Sequence, residues 1–369
     1  MVKTSEIINF IENEFANISH QSKWDNSGKQ VYTGNKTISK IALSLDATKE
    51  NIINAINEGC ELLITHHPLF FKDSKNISVT NPDYEKAIIA IKGNLDILSY
   101  HTNLDMAEGG LNDYLAELLG FETESGNITV EGVDSYYKLA VFTPYDYKDV
   151  VFNAITQAGA GKIGDYSGCG FIAEGAGLFT PLENSKPFIG AIDENTIVDE
   201  VKIETILLKK DIKNVLKAMH ESHPYEEVAY DLFKLDQGIE YGFGKICNME
   251  REYTLNEFVS LVKEKLNLKV VTTNMDNIEP FSRFGICTGS GVSLWKDTLA
   301  KDCKVLLTGD LKYHDAMDAA NAGLCIIDAT HQGTEEIYMK RLGEILKSKF
   351  NVEIKVFKQN KQIIAWGQE

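Results

Sequence analysis

The sequence predicts an α/β protein whose core domain is discontinuous in the chain, its two halves two-fold related, with a ferredoxin-like (βαββαβ) unit inserted between them. Three observations carry this expectation. Short apolar runs alternate with helical patterns toward both ends of the chain. The two ends repeat one another in degenerate form. The middle has a strand and helix order of its own. The expected boundaries are 1–126 for the first half of the core, 127–238 for the insert and 239–369 for the second half.

At the N-terminus, "VKTSEIINFIENEF" spaces Ile7, Ile8, Ile11 and Phe15 along one face of an amphipathic helix. "SKWDNSGKQV" (22–31) is rich in turn formers, and its Trp24 is either a packing anchor or a stacking surface over a cleft. "KIALSLDAT" (40–48), "ELLIT" (61–65) and "LDILSYHTN" (95–103) read as strands, and "KENIINAINEG" (49–59) as a helix closed by glycine. In the middle, "YYKLAVFTP" is a strand, "YKDVVFNAITQAG" a helix and "CGFIAEGAGLFTP" a hairpin-like pair. "VKIETILLK" is a strand, "DIKNVLKAMHESH" a helix and "EVAYDLFKL" a final strand. The opening grammar returns in "FGICTGSG" (284–291), "CKVLLTGD" (303–310) and "LCIIDATHQGTEE" (324–336).

The repeat lies in these outer segments. "CELLITHH" (60–67) sits over "CKVLLTGD", each a cysteine, an apolar strand, a threonine and a polar pair. "LSYHTNLD" (98–105) sits over "DATHQGTE" (328–335), so that His101 and Asp105 match His331 and Glu335.

Four of the eight histidines, His66, His67, His101 and His331, come directly after apolar strands. That carboxyl edge is where open α/β sheets bind ligands. Two neighbouring imidazoles buried without partners leave several polar atoms unsatisfied. Histidine and carboxylate converging without cysteine suit zinc, iron, manganese, cobalt or nickel. The candidate metal ligands are His66, His67, Asp105, His331 and Glu335. That set exceeds the needs of one tetrahedral ion and does not saturate two, which points to two divalent ions (Zn, Fe or Mn) with open positions. Such a pair is strongly Lewis acidic and acidifies water toward a pKa of roughly 7. Asp105 and Glu335 are the expected bridging carboxylates, with Glu335 placed in the first turn of the helix "TEEIYMKRLGEILKSKF", where the helix dipole favours its ionised form. His101 is the candidate catalytic residue, orienting Asp105 or moving a proton.

Other motifs carry less. Asp310 and His314 in "TGDLKYHDA" are expected to line the same cleft. "GAGKIGDYSGCG" (159–170) lacks the spacing of a phosphate loop and reads as turns. "HPYEE" (223–227) reads as a solvated helix-to-strand turn, because Pro224 cannot continue either element.

The charge excludes some partners. With 37 Lys+Arg against 54 Asp+Glu, the formal charge of -17 repels nucleic acid and anionic membranes. Arg251, Arg283 and Arg341 are the only arginines, too few for guanidinium clamps on phosphate. Six cysteines are scattered with no C-x-x-C pair, and most sit in apolar runs and read as small buried hydrophobes. With no apolar run of 18 residues and no signal peptide, a cytoplasmic location is expected.

At "WDNSGKQV", "THHPLFF", "YHTNLD", "TGDLKYHDA" and "DATHQGTEE" the chain resembles the dinuclear-metal-centre proteins called NIF-three-like, or GTP cyclohydrolase type 2 homologs. The match runs nearly end to end. The inserted region, with "GAGKIGDYSGCGF" and "HPYEEVAYDLF", resembles the PII- and CutA-like domain of the longer bacterial members. Ser27 and Lys29 depart from the family pattern, where a more apolar residue is expected at 27. The resemblance implies two divalent metals on His66, His67, Asp105, His331 and Glu335, with His101 close by. It also implies a toroidal homohexamer with the metal sites facing an internal cavity.

The expected function is metal-dependent hydrolysis of a nucleotide-like or phosphorylated small molecule. The alternatives are a GTP cyclohydrolase-type activity and a non-catalytic metal-dependent scaffold or regulator.

Overall fold

The computed structural model describes residues 2–72, 77–78 and 80–360. The chain divides into two compact units. One runs to Gly132 and resumes at Tyr241; the other is Val133–Glu240.

The first unit is built on two sheets. One orders Glu353–Val356, Lys40–Ser44, Leu62–Thr65, Asp96–Ser99 and Gly28–Val31, all parallel except the last. The other orders Thr272–Thr273, Cys325–Asp328, Val305–Thr308, Phe281–Ile286, Lys245–Tyr253 and Glu122–Thr123, with only the Cys325, Val305 and Phe281 strands parallel. Three parallel strands flanked by an antiparallel strand on the third thus occur twice. The equivalence matches the repeat read from the sequence.

The central strands are apolar throughout because both of their faces are covered. Leu62, Ile64 and Leu98 point into one core with Ile7 and Ile11 of the Thr4–Glu14 helix, while Leu63 and Ile97 point into another with Ile52 and Ala90. In the second sheet Val305 and Leu307 share a core with Phe258, and Leu306 packs with Ala319 and Leu324 on the opposite face. Each fully buried Leu or Ile contributes roughly 1.5–3 kcal/mol.

Each half sends its last helix to the other. The Leu111–Leu119 helix places Leu115 and Leu119 in the core of the second sheet, and Glu122–Thr123 then joins that sheet. The Ile337–Lys349 helix places Met339, Leu342 and Leu346 in the core of the first sheet, and Glu353–Val356 then joins it.

The second unit has a four-stranded sheet ordered Tyr230–Phe243, Thr129–Pro144, Thr196–Leu208 and Gly170–Phe179, and two helices, Lys148–Gln157 and Ile212–Ser222. Its chain order is the strand, helix, strand, strand, helix, strand order predicted. Val151, Ile155, Val215 and Met219 of the helices pack on Leu139, Val141, Val201 and Ile203. Two local expectations change here. "CGFIAEGAGLFTP" is one strand, Gly170–Phe179, paired along its length with Thr196–Leu208 and not folded on itself. His223 of "HPYEE" is buried, since its Nε2 bonds the Phe142 carbonyl at 2.9 Å and its Nδ1 accepts from Tyr225 N–H at 3.1 Å.

Candidate metal centre

Three turns at the carboxyl ends of the two sheets converge. Leu62–Thr65 ends in His66 and His67, whose backbone N–H groups both donate to Leu45 O. Asp96–Ser99 runs through Tyr100 to His101, and the four-residue helix Thr102–Asp105 then delivers Asp105. Cys325–Asp328 leads to Thr330, which caps the His331–Glu335 helix by accepting from Gly333 N–H at 3.0 Å. Thr330 does this at φ +65°, a left-handed conformation costly for a β-branched residue. His331 and Glu335 stand four apart, on one face. Glu335 therefore closes this short helix and does not open the long one, Ile337–Lys349, so the expected dipole at its position does not apply.

The four imidazoles share one arrangement. Nδ1 of His66 is bonded to Tyr100 O at 2.9 Å, of His67 to Asp46 Oδ1 at 2.8 Å, of His101 to Asp25 Oδ1 at 2.8 Å and of His331 to Asp310 Oδ2 at 2.7 Å. An acceptor at Nδ1 selects the tautomer protonated there and leaves the Nε2 lone pair free. Three of those Nε2 atoms face carboxylates. His66 Nε2 lies 3.7 Å from Asp105 Oδ1 and 3.6 Å from Glu335 Oε1. Glu335 Oε2 lies 3.2 Å from His67 Nε2 and 3.0 Å from His331 Nε2, which are themselves 3.2 Å apart. Three overlapping groups have ligand atoms within 4.8 Å of one another: His66, Asp105 and Glu335; His67, His331 and Glu335; His66, His67 and His101.

Such a cluster is rich in acceptors and short of positive charge. His66 Nε2 and Glu335 Oε2 are buried without an aligned hydrogen bond. A cation satisfies both, as do protons. Burial pulls the His67 pKa down, yet bonds to Asp46 and Glu335 outweigh it and push the group up to about 10. His331 rises in the same way, against burial, to about 9 through Glu335 and Asp310. Burial lifts Asp105 to about 7, helped by the nearby Glu335 charge. Glu335 is fully buried, which opposes ionisation, but the surrounding imidazoles hold it well below the ordinary carboxylate range. The residues present therefore fit a divalent metal, for which the protons stand in.

All six predicted site residues meet in this cluster. His314 does not; it is exposed on the Tyr313–Asn321 helix against the Tyr313 ring. Asp310 lines the cleft as expected, with a more definite task in holding His331. Four contributors were not singled out from the sequence. Asp46 and Asp25 orient His67 and His101. Asn112 joins the halves, donating from Nδ2 to Asp105 O at 2.8 Å and accepting from Thr288 N–H at 2.8 Å. Gly289, in the turn after Phe281–Ile286, leaves room for Glu335. Only Asp25 had a sequence signal, its place in the "WDNSGKQV" motif. Ser27 in that motif, the departure noted above, donates to Asp25 Oδ2 at 2.9 Å and accepts from His101 N–H at 3.1 Å.

Comparison with known proteins finds relatives over most of the chain. The model of the family Duf34/NIF3 (NGG1p interacting factor 3) matches residues 2–363. The chain is 38% identical over 331 residues to the "GTP cyclohydrolase 1 type 2 homolog" of Bacillus subtilis (strain 168), covering 89% of this chain and 88% of that protein. It is 37% identical over 334 residues to the protein of the same description from Halalkalibacterium halodurans, with 88% of each covered. The crystal structure of a Bacillus cereus protein related to NIF3 superposes with a TM-score of 0.88 at 33% identity, over 99% of both chains.

Proposed function

The chain belongs to the Duf34/NIF3 family, and from that premise we propose that it is a dinuclear divalent-metal protein that hydrolyses a nucleotide-like or phosphorylated small molecule. The observation that carries this reading is the common orientation of the imidazoles, each fastened at Nδ1, around a carboxylate that accepts no aligned hydrogen bond at Oε2. His66, Asp105 and Glu335 would hold one ion, and His67, His331 and Glu335 the other. Glu335 would contribute to both, since its Oε1 faces His66 and its Oε2 faces His67 and His331. Two divalent ions, zinc, iron or manganese, would supply Lewis acidity and an acidified water. His101 would exchange a proton with the substrate, its ring held by Asp25. Asp25 is suited to that task. Burial opposes its charge, but bonds from His101, Thr102 and Ser27 keep it firmly ionised.

Elemental analysis tests the reading. Wild type should carry about two divalent ions per chain and Glu335→Ala far fewer. Equal content in the two proteins sinks the ligand assignment, and no turnover across phosphoesters, nucleotides and cyclic amides sinks the hydrolase. The relatives' description favours a second reaction, a cyclohydrolase-type opening of GTP. It predicts formate release that disappears in His67→Ala. The reading also includes a cytoplasmic homohexamer, to be checked by sedimentation. Among the described residues no helix is long and apolar enough to cross a membrane.

A further inference from the structure

We propose that Trp24 and Phe71 form an aromatic slot beside His101 that takes a planar heteroaromatic ring of the substrate, such as a nucleobase, while an anionic group attached to that ring reaches the metal centre. The proposal rests on the reading that substrate binds at that centre. Large aromatic side chains ordinarily lose most of their exposure on folding. Trp24 is 63% exposed and Phe71 49%. Both border the same imidazole, with ring centroids 5.7 Å from that of His101 and ring planes at 76° and 89° to it.

Neither ring is a stray surface residue, because the segments that carry them are tied together by polar groups. Asn26 Nδ2 donates to Phe70 O at 2.8 Å, Phe70 N–H donates to Gln30 Oε1 at 3.1 Å, and Gln30 Nε2 donates to Asn26 O at 2.6 Å. These bonds hold the Trp24 loop against the Phe71 turn without help from either ring. Two aromatic faces are thus positioned by a built scaffold and left uncovered.

Charge narrows the ligand class. The three arginines are paired with glutamates, Arg251 with Glu257, Arg283 with Glu124 and Arg341 with Glu117. With the arginines engaged, an anionic group would be held by lysine, backbone or the metal centre, and the ring it carries needs another device for orientation. Stacking supplies one, is tolerant of which base is bound, and strengthens binding by about tenfold or more for each base stacked.

The test uses the full-length, metal-loaded protein and two probes that share a sugar and a phosphate, adenosine 5′-monophosphate and ribose 5-phosphate, titrated by calorimetry. The nucleotide should bind at least about tenfold tighter. Trp24→Leu and Phe71→Leu, which keep apolar bulk and lose the π face, should each shrink that preference to less than about threefold and leave ribose 5-phosphate affinity unchanged. Equal affinities in wild type, a preference that survives in both variants, or no binding of either probe overturns the slot. Metal content of the same samples separates the two readings. A full complement without base preference overturns the slot alone, and a metal-free wild type overturns the centre together with the slot that rests on it.

Discussion

A β-carbon at Gly289 would collide with Glu335 Oε1 and stand 3.5 Å from His331 Nε2, on a backbone already left-handed at φ +64°. Gly289→Ala should therefore displace the Glu335 carboxylate and lower metal affinity at least about tenfold, measured by competition with a chelator. Affinity equal to wild type would show that Glu335 is not needed where it stands. At this scale the sequence was informative where chemistry is adjacent. His66 and His67 stand out because two imidazoles end an apolar run, and His331 and Glu335 because their spacing repeats that of His101 and Asp105. Asp46 was not legible, and Asp25 was marked only by its place in "WDNSGKQV", with nothing to say that it holds His101. A carboxylate in a turn looks solvated, and these two meet their imidazoles across 21 and 76 residues of chain.

Among the elements, the turn at His223 carries a pH dependence. Its ring sits between the Phe142 carbonyl and the Tyr225 N–H, an arrangement that needs the neutral form, and burial lowers its pKa from 6.5. The unfolded chain then binds a proton below about pH 6.5 that the folded chain refuses. The stabilisation is fully present above that pH and is lost progressively as pH falls toward the depressed folded value. Thermal unfolding of wild type should lose stability between about pH 7 and 5 by more than His223→Gln does, with hydrogen exchange placing the loss in Val133–Glu240. Parallel slopes for the two proteins would refute the assignment. Strand and helix identities here were readable from periodicity, as in "DIKNVLKAMHESH", which became Ile212–Ser222. The partner of Gly170–Phe179 was not, because an apolar strand with several glycines fits a hairpin as well as a long pairing.

In the whole molecule, every residue of the candidate centre belongs to the unit made of the chain's two ends. The polypeptide leaves that unit and returns to it through neighbouring strands, Thr129–Pro144 and Tyr230–Phe243, and Gly242 packs closely on the Thr129 carbonyl. Replacing residues 133–240 by a short glycine-rich turn should leave metal content per chain unchanged by elemental analysis. Loss of metal would make the insert part of the centre. The exchange of last helices bears on the same question. Leu115 and Leu119 stabilise the second core and Leu342 and Leu346 the first, so neither half is complete alone. The sequence by itself determined the α/β class, the repeat, and the placing of histidines at strand ends, because these depend on side chains a few residues apart. Only the tertiary structure decided which carboxylate holds which imidazole, that Glu335 faces both groups, and which sheet each final helix joins. Those outcomes come from packing between segments far apart in the chain, where the favourable contacts are shared among many residues and none of them alone carries a signal.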